Sequence, residues 1–168
     1  MNISVREDPR IPRAHEAVRA VADPEIPVLT LGDLGVLRGI DIAPDGVLEV
    51  SITPTYSGCP AMKVMELDLQ VALEAAGLPD ARIRTVLAPA WTTDWMSAEG
   101  REKLRAYGIA PPVGKASRRA LFGEETAPAC PLCGSTRTVK ISEFGSTACK
   151  AHWRCEDCLE PFDAFKCI

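Results

Sequence analysis

Four of the seven cysteines in this 168-residue chain stand in two tight pairs, Cys130-Pro131-Leu132-Cys133 and Cys155-Glu156-Asp157-Cys158. A C-x2-C pair places two sulfurs on one sharp turn, and two such turns complete a tetrahedral shell for a soft cation such as zinc. The stretch between the pairs, Gly134 to Arg154, is slightly longer than usual for such modules, which a longer hairpin absorbs. Two disulfides or a dithiol redox site are the competing chemistries. Disulfides need an oxidising compartment, and the N-terminal residues, with Arg6, Glu7, Asp8 and Arg10, lack the apolar stretch of an export signal. The spacing therefore points to metal. Cys149 and Cys167 lie in the same region, so six thiols compete for four places. Paired knuckles fix two ligands at little entropic cost, which makes Cys130, Cys133, Cys155 and Cys158 the default set. Cys149 or Cys167 is an alternative ligand to one of these, or a partner for His152 in a second, weaker site. The remaining reading is that both are small buried hydrophobes beside the metal.

Cys59 is the one cysteine outside this region. It precedes Pro60 at the expected start of a helix, where unpaired backbone N–H groups and the macrodipole favour an anion. That placement lowers a thiol's pKa and makes thiolate available for metal binding or attack. A buried, inert cysteine plugging the helix start is the equal alternative. A cysteine hydrolase would need His15 or His152 as its base, and both are distant in sequence.

Around these residues the pattern predicts an α+β chain. A first helix is expected from Ala14 to Ala22, ending before Asp23-Pro24 because a residue preceding proline avoids the helical region. A loop follows with three acids, Asp23, Glu25 and Asp33. Gly35 to Ile42 and Val47 to Thr53 form a hairpin about Asp45-Gly46. Met62, Met65, Leu69, Leu73 and Ala76 give a helical period, with Pro60 at the first helical position and Gly77 as the C-terminal cap. Ile83 to Leu87 is a third strand, and Ser97 caps a short helix to about Tyr107. Periodicity then stops from Ile109 to Ala129, where Pro111, Pro112, Gly114, Lys115, Arg118 and Arg119 mark a linker. Short strands at 137–144, 150–154 and 161–168 surround the knuckles. The expected organisation is a small helix–hairpin–helix–strand domain over residues 1–108, a linker over 109–129, and a C-terminal zinc β-ribbon over 130–168.

The last forty or so residues are too few to fold on a hydrophobic core alone, and metal binding supplies the missing folding energy. The formal net charge of −4 is mildly negative. In the ribbon, Arg137, Lys140, Lys150, Arg154 and Lys166 are balanced by Glu143, Glu156, Asp157, Glu160 and Asp163. That leaves no basic footprint for nucleic acid, and no apolar run is long enough for a membrane. The chain reads as cytoplasmic, with neither nucleic acid nor membrane as a partner.

The runs Asp23-Pro24-Glu25-Ile26-Pro27, Asp33-Leu34-Gly35 and Thr55-Tyr56-Ser57-Gly58-Cys59-Pro60 resemble a family of small iron–sulfur cluster assembly and targeting factors. With the tail runs Glu143-Phe144-Gly145-Ser146-Thr147-Ala148-Cys149-Lys150-Ala151 and Pro161-Phe162-Asp163-Ala164-Phe165-Lys166-Cys167-Ile168, the chain is similar along both modules to the PaaD (PaaJ) family. Its members are encoded with the multicomponent phenylacetyl-CoA epoxidase of phenylacetate catabolism. The resemblance implies a system in which a di-iron subunit oxidises the substrate and a flavin and [2Fe–2S] reductase supplies electrons. The chain lacks the helix pair for di-iron, the dinucleotide fingerprint and the plant-type [2Fe–2S] spacing. The resemblance therefore implies no catalysis by this chain alone. It implies an accessory role, helping an iron–sulfur cluster reach the reductase, with the epoxidase subunits as partners. On that basis Cys59 falls at the family's reactive cysteine and Asp23, Glu25 and Asp33 on its acidic loop. A transient cluster held by one cysteine per chain would suit a homodimer. The alternative is a non-catalytic structural subunit of the complex.

Overall fold

The computed structural model describes residues 8–56, 58–116 and 126–168. The chain divides into two compact units, one ending at Trp91 and the other beginning at Thr92.

In the first unit, α1 (Arg10–Arg19) starts and stops earlier than its apolar spacing suggests. Pro9 is the N-cap, and the Asp8 carboxylate just ahead of it accepts the Arg10 N–H at 2.9 Å, which fixes the helix start there. Beyond Arg19 the backbone turns to pair with the loop ahead, Leu31 N–H to Val21 O and Asp23 N–H to Leu29 O, both at 2.8 Å. That loop contains a one-turn helix, α2 (Leu31–Leu34), which apolar spacing does not announce because four residues show no periodicity. Strands β1 (Leu37–Ile42) and β2 (Leu48–Ile52) form the expected antiparallel hairpin, with Leu48, Val50 and Ile52 of β2 facing the core. Helix α3 (Met62–Ala75) then crosses to β3 (Arg82–Thr85), which lies parallel to β2 in a β1-β2-β3 sheet. Helix α1 packs on β1 and α3, and α3 on β3. Val18, Leu29, Leu31, Leu34, Val50, Ile52, Leu69 and Leu73 fill the core with almost no exposure.

The second unit opens with a 3-10 turn (Thr93–Trp95) and α4 (Ala98–Ala106), capped by Ser97, whose hydroxyl accepts the Gly100 N–H at 2.8 Å. The boundary therefore lies earlier than a first domain of residues 1–108 would place it. The reason is in the backbone. Ala110 N–H donates to Asp163 O and Phe165 N–H to Ala110 O, both at 2.9 Å, so residues just after α4 form a bridge with the last strand. Ile109 and Ala110, read as linker, are buried. The rest of the expected linker includes residues 117–125, which lie outside the described residues together with Arg118 and Arg119. Three antiparallel strands follow, β4 (Thr138–Ser142), β5 (Lys150–Cys155) and β6 (Pro161–Phe165), in the order β4-β5-β6. Their inner face is small: Trp153 and Phe162 stand among Ala110, Ala151, Ala164, Cys130 and Cys155. The fold is thus the α+β domain and β-ribbon expected from the sequence.

Candidate functional site

The β4–β5 hairpin carries the two knuckles at its open end. Thr138 pairs with Cys155 in the ladder, so the first knuckle, just ahead of β4, lies beside the second, which begins at the end of β5. Each knuckle is closed by its own backbone. Gly134 N–H donates to Cys130 O at 2.9 Å and Cys130 N–H to Ser135 O at 2.8 Å, with Gly134 at a φ of +77° that disfavours a side chain. Cys155 N–H donates to Glu160 O at 3.0 Å. The knuckles are tied to each other by Glu156 N–H to Arg137 O at 2.9 Å and by the Arg137–Asp157 ion pair at 2.9 Å.

The four sulfurs of Cys130, Cys133, Cys155 and Cys158 lie within 4.8 Å of one another. Cys130 and Cys158 sulfurs are 3.8 Å apart, and those of Cys133 and Cys155 3.6 Å. A tetrahedron with zinc–sulfur bonds of about 2.3 Å has edges of about 3.8 Å, so the donor set and its spacing fit zinc. Backbone N–H groups of Cys158 and then Asp157 point at the Cys155 sulfur and bring its thiol down to about 6. Against the pull of the Glu160 N–H, desolvation and then the thiols of Cys133 and Cys155 push Cys158 up to about 12, so the four sulfurs titrate as one set. Zinc there would be structural, because four protein sulfurs leave no open position. Among the described residues no other group of three or more ligating side chains comes this close together.

Cys149 and Cys167 lie elsewhere. Cys149 is buried with its sulfur 3.0 Å from Thr147 Oγ1, and Cys167 is half-buried, 3.7 Å from Thr93 Oγ1. His152 does not join them: its Nδ1 lies 3.2 Å from Asp163 Oδ1. No cysteine takes part in a disulfide. Asp163 also accepts from the Ser146 N–H at 3.2 Å and its hydroxyl at 2.6 Å, and Lys150 Nζ stands 3.8 Å away. Burial pushes the Asp163 carboxyl up, but Ser146, His152 and Lys150 together hold it below the ordinary range. The tail run around Gly145 is therefore a loop clasped onto β6.

Cys59 occupies the turn between β2 and α3. Its N–H donates to Tyr56 O at 3.2 Å and its carbonyl accepts Met62 N–H at 3.3 Å, while Gly58 takes a φ of +98°. Helix α3 begins at Met62 after an N-cap at Ala61, so Cys59 and Pro60 precede the helix, contrary to the expectation that Pro60 opens it. The thiol is 7% exposed, and burial raises its pKa, the reverse of the shift expected from a helix start. The Ala61 N–H and the Tyr56 hydroxyl bond to the sulfur and pull the other way, whereas the charges of Glu25 and Asp23 add to the rise. The helix-terminus expectation fails because burial outweighs the Ala61 N–H that does reach the sulfur from the helix start.

The three loop acids have different roles. Asp23 is buried, its Oδ1 accepting the N–H groups of Glu25 at 2.8 Å and Ile26 at 2.7 Å. It shapes the loop and brings its charge near Cys59. Glu25 is half-buried beside it. Asp33 forms a capping box with Thr30, accepting its N–H and hydroxyl at 2.9 Å, and so serves α2. Sequence reasoning does not single out Tyr56 or the Ala61 N–H. The spacing Tyr56-x-x-Cys59 is that of a four-residue turn, the one available clue to the hydroxyl's place.

Residues 13–88 match the family described as iron–sulfur cluster assembly protein, and residues 114–166 match the PaaD zinc beta ribbon domain. A domain of unknown function from Bacillus anthracis has the same fold, with a TM-score of 0.50 at 21% identity, over 56% of this chain and 91% of its own. The chain is 35% identical, over 52% of its length and 83% of the relative's, to an Fe–S protein maturation auxiliary factor of Porphyromonas gingivalis. Fold and site together define an iron–sulfur-assembly-type domain joined to a zinc β-ribbon. That pairing also occurs as a whole. The chain is 47% identical, over 94% of both lengths, to a subunit of the putative 1,2-phenylacetyl-CoA epoxidase of Escherichia coli, and it belongs to that PaaD family of epoxidase subunits. Among the described residues no helix is long and apolar enough to cross a membrane.

Proposed function

We propose that this chain is an accessory protein of phenylacetate degradation that helps an iron–sulfur cluster reach the reductase of the multicomponent phenylacetyl-CoA epoxidase. It works in the cytoplasm and catalyses no step of the oxidation itself. The observation that carries the reading is the company of Cys59: one thiol in an assembly-type domain, with the charges of Glu25 and Asp23 on its sulfur. Those charges disfavour a bare thiolate. They favour the same sulfur once it is bound to cationic iron, so the site discriminates between an empty thiolate and one carrying cargo. A cluster held this way has few protein ligands and can leave. Cys130, Cys133, Cys155 and Cys158 hold the structural zinc that staples the ribbon.

The burial of Cys59, at 7% exposure, favours a second reading, a non-catalytic structural subunit in which the thiol only packs. Turnover separates the two. With reductase and oxygenase already fully loaded with their metals, epoxidation should run at full rate without this chain. If it stays dormant until the chain is added at equal stoichiometry, the structural-subunit reading replaces the maturation one.

A further inference from the structure

Helix α3 has two apolar seams. Met65, Leu69 and Leu73 face the core. Val64, Leu67 and Val71 are exposed at 45%, 67% and 65%. At about 100° per residue these three fall within about 60° of each other, roughly opposite the buried row. A folded monomer gains nothing from three large aliphatic side chains on the wet side of one helix, and their a-d-a spacing is that of a helix–helix contact.

The flanks of this outer seam identify what covers it. With Val64 and Val71 at a and Leu67 at d, Lys63 is a g position and Asp68 the e position that follows in the partner heptad. In a parallel pair of identical helices, g of one chain meets that e of the other, so Lys63 meets Asp68 twice. Among the described residues neither Lys63 nor Asp68 has an ion-pair partner within the chain. In an antiparallel pair the e positions would face each other and set Asp68 against Asp68. We infer that the outer face of α3 is an isologous contact with a second copy of this chain, the two helices running parallel about a two-fold axis. The contact spans two helical turns, so the dimer is concentration-dependent.

Parallel packing has a consequence for the thiols. It brings both α3 N-termini to the same end of the pair, with axes about 8–10 Å apart. The Cys59 turn, three residues ahead of Met62, is then duplicated at that end. A cargo held by one sulfur from each chain fits this arrangement; that use of the contact rests on the maturation reading, whereas the contact itself does not.

The test uses the full-length zinc-loaded chain in sedimentation equilibrium across a wide concentration range. The wild type should show a reversible monomer–dimer equilibrium, weakened on the order of 100-fold by Leu67→Glu. Lys63→Asp should also weaken it, and Lys63→Asp combined with Asp68→Lys should restore it. Val64→Cys and Val71→Cys should each crosslink to their own counterparts on oxidation, identified by peptide mass spectrometry. A monomer at every concentration overturns the inference. So does a dimer insensitive to Leu67→Glu, a charge swap that fails to restore pairing, or counterpart crosslinks absent at both positions. Because these readouts involve no cluster, they stand or fall separately from reductase loading.

Discussion

Replacing Cys155 by serine is expected to unfold the second unit's ribbon and leave the first unit intact. Cys155 is fully buried at the end of β5, and among the described residues the cluster beneath it holds two large side chains, Trp153 and Phe162, with alanines and cysteines. Burying two such aromatics contributes roughly 6 kcal/mol in all. A structural zinc in a module of this kind contributes about 10–16 kcal/mol at neutral pH. Typical domain stability is only about 5–15 kcal/mol, so losing even half of the metal term, about 5–8 kcal/mol, is comparable to the whole stability of so small a module. The first unit has its own core of Val18, Leu29, Leu31, Leu34, Val50, Ile52, Leu69 and Leu73 and no share in the metal. Hydrogen exchange read peptide by peptide should show amides of β4, β5 and β6 losing protection in the variant while those of α1, α3 and the first sheet keep it. Zinc content should fall in parallel. A variant that retains one zinc and protected β4–β6 amides would refute the argument that metal, not the aromatic pair, holds the ribbon together.

Cys59 should alkylate with a midpoint above the free-thiol range of about 8.5, because burial raises it. Glu25→Gln should lower that midpoint and Tyr56→Phe raise it, and a profile at or below a free thiol would contradict the placement. Gly145→Ala should destabilise the second unit by about 1–3 kcal/mol in a denaturant melt, since its Cβ would lie 2.6 Å from Asp163 Oδ1. The Asp163 carboxyl is held below its ordinary value, so its stabilising effect is present above the unfolded pKa and is lost as pH falls through the folded one. Asp163→Asn should accordingly speed exchange of the Ser146 amide at pH 7, with the gap from wild type closing below about pH 4; equal exchange at pH 7 would rule out the clasp.

The metal centre was legible because ligand chemistry is local: two C-x2-C turns need only a hairpin to bring them together. The hairpin about Asp45-Gly46 was legible for the same reason. What failed was whatever depended on a longer-range choice. The sequence places Cys59 at a helix start, but Met62 N–H pairs with Cys59 O in a preceding turn, and burial then decides the sign of the thiol's shift. Helix α4 looks like the end of the first domain until Ala110 is seen to bridge to Ala164, a pairing no local pattern announces. Cys149, Cys167 and His152 are ligand types without convergence, since the fold commits His152 to Asp163. Asp33 falls in with Asp23 and Glu25 by sign of charge, although its spacing from Thr30 already spells a capping box.

Cys59 is proposed to serve the loading of another protein's cluster. The most direct test is the iron and acid-labile sulfide content, per flavin, of the epoxidase reductase purified from cells with this chain, without it, and with Cys59→Ala. Full [2Fe–2S] occupancy is expected in the first case and depleted clusters in the other two. The apoprotein should be intact and chemical reconstitution should restore electron transfer. Equal cluster content in all three preparations would contradict that role for Cys59.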